Sequence, residues 1–156
     1  MRWANWIDLF SRRVAGWTLA QRMDAALVIE TLNRALVHRQ VEPETLLVHT
    51  DQGSQYRAIN YRDLLRDHKI ACSMSAKGCC WDNAVVEIFF STLMMELDLD
   101  DKHQELINPQ QLQRDLAFWI EGYYNRERRH STIGYLSPID YEQQFSKTRT
   151  LTSVNP

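Results

Sequence analysis

The order in which apolar periodicities follow one another constrains this chain most. Two β-rich runs, residues 3–8 and 11–19, joined by a tight connection at 9–11, read as a hairpin. Asp24 then offers a cap to a helix in which Ala25, Val28, Ile29, Leu32, Ala35 and Leu36 recur at helical spacing until Pro43. Leu46-Leu-Val-His49 has the look of a strand buried on both faces. A short helix capped by Asn60, with Tyr61, Leu64, Leu65 and His68 on one side, and a strand over 70–74 complete a β-α-β unit. Helices alone follow, so the chain is expected to be an α/β domain of three layers.

The later helices are marked by local chemistry. Asp82 or Asn83 is placed to cap a helix whose stripe is Val86, Phe89, Phe90, Leu93 and Leu97; Glu87, Ser91, Met94 and Asp98 lie about a quarter-turn away. Asn108-Pro109 pairs an N-cap with proline at the first helical position, and Leu112, Leu116, Trp119, Ile120 and Tyr123 face inward until the helix ends near Asn125. Ser137-Pro138 opens one more short turn of helix. Residues 1–145 are read as one domain and 146–156 as a polar tail.

Composition excludes several classes. No apolar run nears the roughly 18 residues that span a bilayer, and no secretory signal pattern opens the chain, so a cytoplasmic protein without membrane contact is expected. Cys72, Cys79 and Cys80 are odd in number and form no CxxC pair, which supports neither a disulfide framework nor a zinc site. His49, His68 and His103 show no ligand spacing either. The formal net charge of −2 gives no global attraction for nucleic acid. Charge is nevertheless uneven: between Cys80 and Glu121 nine acids face two bases, whereas in the first forty residues six arginines face three acids.

Two carboxylates carry the candidate chemistry. Asp51 follows the apolar run at a strand's end, and Glu87 lies a turn into a helix, with 35 residues between them. Hard oxygen ligands so placed suit magnesium, and a pair of such ions about 4 Å apart activates an attacking oxygen and stabilises a leaving one. The plain alternative is an Asx turn at Asp51 and a helix acid favoured by the dipole at Glu87. Arg126, Arg128, Arg129 and His130, beside Tyr123 and Tyr124, form the best phosphate-binding cluster; a solvated helix end, where cations are also favoured, competes with that reading. Trp81 suits either base stacking or a plug in its loop.

His49-Thr-Asp-Gln-Gly-Ser-Gln-Tyr56, Gly78, Trp81-Asp-Asn-Ala-Val-Val-Glu-Ile-Phe-Phe-Ser-Thr-Leu93, Tyr124-Asn-Arg-Glu-Arg-Arg-His130 and Gly134-Tyr-Leu-Ser-Pro138 occur in that order. The series strongly resembles bacterial insertion-sequence transposases with an integrase catalytic core, over about residues 4–145. The 35-residue spacing is a hallmark of that family, and Ile7-Asp-Leu-Phe-Ser-Arg-Arg13 resembles its hairpin. The resemblance implies an RNase H-like fold with a mixed sheet, catalysis with Mg2+ or Mn2+, nicking at element ends, and attack of the freed 3′-hydroxyl on target DNA. It makes Asp51 and Glu87 metal ligands and Gly53 a glycine that turns the backbone sharply beside them.

Two departures qualify that picture. The family's first catalytic aspartate precedes the segment that begins here at Trp3, which implies a core lacking its first strand and inactive alone; Asp8 matches a turn residue instead. Met94 stands where these transposases carry a lysine or arginine, near Glu96, Asp98, Asp100 and Asp101, and such acids repel a phosphate backbone. An exposed sheet edge implies self-association, either as a homo-oligomer or by pairing with an intact transposase. The other readings are a DNA-binding remnant without catalysis and a metal-dependent nuclease.

Overall fold

A computed structural model of the chain describes residues 1–39, 45–75, 84–99 and 108–152, with side chains described to residue 146. The expectations for Pro43, Gly78, Cys79, Cys80, Trp81, the cap at Asp82 or Asn83, Asp100, Asp101 and His103 fall outside those residues. The chain divides into two compact units, the first comprising Met1–Trp6 and Ala15–Ile107, the second Ile7–Val14 and Asn108–Pro156. None of the described helices is long and apolar enough to cross a membrane.

Strands β1 (Arg2–Ile7) and β2 (Val14–Ala20) pair as a two-stranded sheet. Asp8 makes the turn between them: its carboxylate accepts from the N–H groups of Phe10 (2.8 Å) and Ser11 (3.4 Å), and its own N–H donates to Arg13 O (2.8 Å). The turn is wider than the sequence suggests, occupying residues 8–13 with Arg12 at φ 65°. In β2, Val14, Gly16 and Thr18 alternate inward, the period-two signature of a half-buried strand.

Helix α1 (Ala25–Arg39) begins as expected at Asp24, whose carboxylate accepts from Leu27 N–H at 3.0 Å. It packs hard on β2, because a Cβ at Gly16 would stand 2.7 Å from Thr31 O and 2.8 Å from Ala35 N. Glycine there is a requirement of close approach. The first unit's core joins Ala4 of β1, Leu27, Val28 and Leu32 of α1, Val48, Tyr61, Leu65 and Ile70. Each fully buried side chain of this kind contributes about 1.5–3 kcal/mol relative to exposure.

Strand β3 (Leu47–Thr50) runs parallel to β4 (Ala71–Met74), and helices α2 (Ser54–Arg57) and α3 (Ile59–Asp67) form the crossover. Two expectations need correction here. Leu47 is 63% exposed, so β3 is covered on one face only; Val48 and Thr50 point inward and Leu47 outward, as strand alternation dictates. Asn60 does not cap the helix. Ala58, extended at φ −62° and ψ 145°, breaks the chain between α2 and α3 and is the cap position, which puts Asn60 inside the first turn. His68 is exposed at the helix end, while Tyr61 and Leu65 are buried. Among the described residues the strands pair two by two rather than as one continuous sheet. Helix α4 (Ala84–Glu96) buries Phe89 and Leu93, and Phe90 stacks on Trp3 with ring centroids 5.7 Å apart.

The second unit is helical around the hairpin tip. Helix α5 (Pro109–Ala117) starts as expected: Asn108 Oδ1 accepts from Gln110 N–H at 2.9 Å and Gln111 N–H at 3.4 Å. A π-helical segment, Phe118–Tyr124, continues it, with bonds such as Asn125 N–H to Ile120 O at 3.0 Å. Its wider turn moves the inward position by one residue, so Tyr124 is buried where Tyr123 is expected to be. Asn125 is buried too. Its side-chain amide pairs with Val14 as a neighbouring strand would, accepting from the N–H (2.9 Å) and donating to the carbonyl (3.1 Å).

A 3-10 turn, Ser131–Ile133, closes on Gly134 at φ 70°. Helix α6 (Pro138–Thr152) then runs fifteen residues instead of the expected short turn. Ser137 and Asp140 cap it reciprocally, Ser137 Oγ lying 2.7 Å from Asp140 Oδ2 and 3.2 Å from Asp140 N. No glycine or proline interrupts 139–152, so nothing local stops the helix once it has started. Glu142 of α6 binds Arg13 Nη1 (2.8 Å) and Ser11 Oγ (2.7 Å) of the hairpin tip.

Candidate metal centre

Parallel pairing of β3 with β4 brings the carboxyl ends of both strands to one sheet edge, the edge where α/β folds place ligands. Asp51 is the first residue beyond β3 and Ser75 the first beyond β4. Asp51 is exposed, and its Oδ1 accepts from Gly53 N–H at 2.7 Å. This is the Asx turn that the plain alternative foresees; it occupies one carboxylate oxygen and steadies the other. Gly53 itself has an ordinary backbone, φ −56° and ψ 145°, so it is not needed for a sharp turn. A Cβ there would instead meet the Gln55 amide, the far end of a flexible side chain.

Polar contacts surround that edge. Gln52 Nε2 donates to Ser75 O at 3.1 Å, and the His49 ring lies 2.6 Å from Ser73 Oγ through Nδ1 and 3.1 Å from Ser75 Oγ through Nε2. His49 is a satisfied histidine, as its lack of ligand spacing suggests. The Tyr56 phenol is pushed up to about 12, first by burial and then by the negative charge of Asp51, against a hydrogen bond from Gln55. Tyr56 thus stays neutral at pH 7.

Glu87 lies in the first turn of α4 and is exposed. Neither Asp51 nor Glu87 takes part in an ion pair among the described residues. Both offer hard carboxylate oxygens to solvent, a donor set that suits a hard divalent cation rather than a soft metal. Among the described residues no three His, Cys, Asp or Glu side chains converge as a metal site.

The basic cluster belongs to the second unit, and its members differ. Arg126 and Arg129 are exposed, Arg126 Nε donating to Glu121 O at 3.1 Å. Arg128 is half-buried, and its charge reaches Tyr124 and His130. His130 packs edge-on against Tyr124 with centroids 5.1 Å apart, and its Nε2 is buried with no hydrogen-bond partner among the described residues. Its pKa is lowered by burial first, then by the charges of Arg128 and Arg12, so the imidazole is neutral at pH 7. Arg12, from the hairpin turn, is the cation that reading the sequence left out. Nothing local in the sequence signals its approach to residues more than a hundred positions away.

The chain matches an integrase core domain model over residues 1–80 and a second integrase core domain model over 68–138. It is 45% identical over 139 residues to transposase InsF of insertion sequence IS3fB from Escherichia coli (strain K12), covering 88% of this chain and 46% of that protein. The same identity and coverage hold for transposase InsF of IS3 from Escherichia coli O111:H-. Against the transposase of insertion sequence element IS904 from Lactococcus lactis, identity is 41% over 140 residues, covering 90% of this chain and 54% of that protein. The chain therefore spans about half the length of the curated relatives it matches. The resemblance to insertion-sequence transposases with an integrase core holds, and the mixed α/β structure agrees with the RNase H-like core. With the motifs, the architecture and the first model's cover of over half its length in accord, the chain belongs to the integrase core domain family.

Proposed function

We propose that this chain forms part of the catalytic core of an insertion-sequence transposase that acts on DNA by metal-dependent strand cleavage and transfer, with Asp51 and Glu87 as metal ligands. One observation carries the reading: two exposed carboxylates without ion-pair partners among the described residues, one at a parallel strand's carboxyl end and one in a helix's first turn. A bound Mg2+ or Mn2+ supplies Lewis-acid stabilisation of the oxygens that enter and leave phosphorus. The chain's own residues position everything else. Gly53 N–H holds one oxygen of Asp51 so that the other faces solvent. Arg126 and Arg129 present charge to DNA phosphates, while Arg128 and His130 shape the cluster behind them.

In the first step water attacks a phosphodiester at the element end, the P–O3′ bond breaks, and the departing oxygen takes a proton to become a 3′-hydroxyl. That hydroxyl then attacks a target phosphodiester, displacing its 3′ oxygen. Phosphodiester bonds are exchanged with no oxidant or covalent enzyme intermediate.

A DNA-binding part without chemistry is the second reading, favoured by the lack of three converging ligands among the described residues. Incubation of the full chain with Mn2+ and duplexes bearing element ends separates the two. Nicking that disappears in Asp51→Asn and Glu87→Gln supports catalysis at this site. Binding without nicking supports the second reading, and nicking that survives both substitutions excludes the proposed ligands.

A further inference from the structure

We infer that His49 and Ser75 form a positioning device for Asp51, setting the place from which its carboxylate meets the cation; the inference rests on the metal-ligand reading above. Strand register puts Ser73 opposite His49 and Thr50 opposite Met74, so Ser75 emerges level with Asp51. Ser75 grips the main chain just before it: its N–H donates to Thr50 O at 2.9 Å and its Oγ to the same oxygen at 3.3 Å. Just after it, Gln52 Nε2 donates to Ser75 O at 3.1 Å. The peptide that bears Asp51 is therefore tied to Ser75 on both sides.

His49 governs the Ser75 side chain. A serine hydroxyl has one proton, and Ser75 gives it to Thr50 O, so at 3.1 Å it accepts from His49 Nε2–H. Nδ1 is then the acceptor for Ser73 O–H at 2.6 Å. A single tautomer of His49 is compatible with all three bonds. Ser75 is 5% exposed, where a hydroxyl left unpartnered is costly, and this holds its rotamer. Residues behind metal ligands that orient them commonly change affinity about 10- to 100-fold when removed.

Binding of Mn2+ alone to the full chain, followed by the electron-spin signal of the free ion, tests the device. Asp51→Asn first establishes the ligand: unchanged affinity would remove the metal-ligand reading and this inference with it. Given that loss, His49→Ala and Ser75→Ala should each weaken Mn2+ binding about tenfold, and the double variant no more than either single one. His49→Gln, whose amide reaches Ser75 much as Nε2 does, should stay within about threefold of the parent. Wild-type affinity in His49→Ala or Ser75→Ala, with or without a lowered melting temperature, would overturn the device and leave Asp51 as a ligand. Equal losses in His49→Gln and His49→Ala, or losses that multiply in the double variant, would also overturn it.

Discussion

Replacing Asn125 tests whether one side chain substitutes for a strand. In the folded protein its amide saturates both main-chain groups of Val14, which is 2% exposed. Asn125→Ala leaves that N–H and that carbonyl buried without partners, and each such group costs about 1–3 kcal/mol. The sum is about 2–6 kcal/mol, a large share of the roughly 5–15 kcal/mol that holds a domain folded. Asn125→Asp is more diagnostic. The carboxylate still accepts from Val14 N–H, but it faces Val14 O and Glu121 Oε2, which lie 3.1 and 3.5 Å from the present Nδ2.

That repulsion raises the new carboxyl's pKa above the unfolded value of about 3.9. A raised folded pKa contributes stability below the unfolded value and loses it as pH climbs through the folded one, because only the protonated acid donates to Val14 O. Urea unfolding at pH 4 and pH 7, with slopes of about 1–3 kcal/mol/M, resolves both effects. The Asn125→Asp variant should lie closer to the parent at pH 4 than at pH 7. A loss below about 0.5 kcal/mol in Asn125→Ala, or a pH-independent deficit in Asn125→Asp, would refute the reasoning.

Other consequences follow from the same structure. His130→Phe should flatten the acid limb of the stability curve: a histidine whose folded pKa is lowered contributes stability above its unfolded value and loses it as pH falls through the folded one. An unchanged slope in denaturation midpoints between pH 7.5 and pH 5 would contradict this. Gly16→Ala should destabilise by about 1–3 kcal/mol, since the added Cβ meets backbone atoms of α1 below 3 Å and the helix must move; calorimetric melting measures it. Removing Arg126 and Arg129 together should weaken DNA binding uniformly across sequences. It should also reduce the slope of log K against log salt by about 1.8 if both contact phosphate.

Local chemistry was the most legible part of the fold. Asp8 in its turn, Asp24 at the start of α1 and Asn108-Pro109 at the start of α5 each act through neighbours within three residues, so short sequence windows contain the whole interaction. Features requiring distant partners were not readable in that way. The exposure of Leu47 depends on what covers β3, and the shift from Tyr123 to Tyr124 depends on π-helical hydrogen bonds that no residue type announces. Asn125 sits inside the basic motif yet serves Val14, 111 positions earlier. At the site, ordered motifs single out Asp51 and Glu87, whereas the link from His49 to Ser75 exists only through the register of two parallel strands.

Whether Asp51 and Glu87 hold one cation is most directly measured by loading the chain with Fe2+, generating radicals with ascorbate and peroxide, and mapping backbone cleavage. Shared coordination predicts cuts near both residues 51 and 87, suppressed together by excess Mg2+ and lost together in either Asp51→Asn or Glu87→Gln. Cleavage near one residue that persists when the other is substituted would contradict a common metal centre.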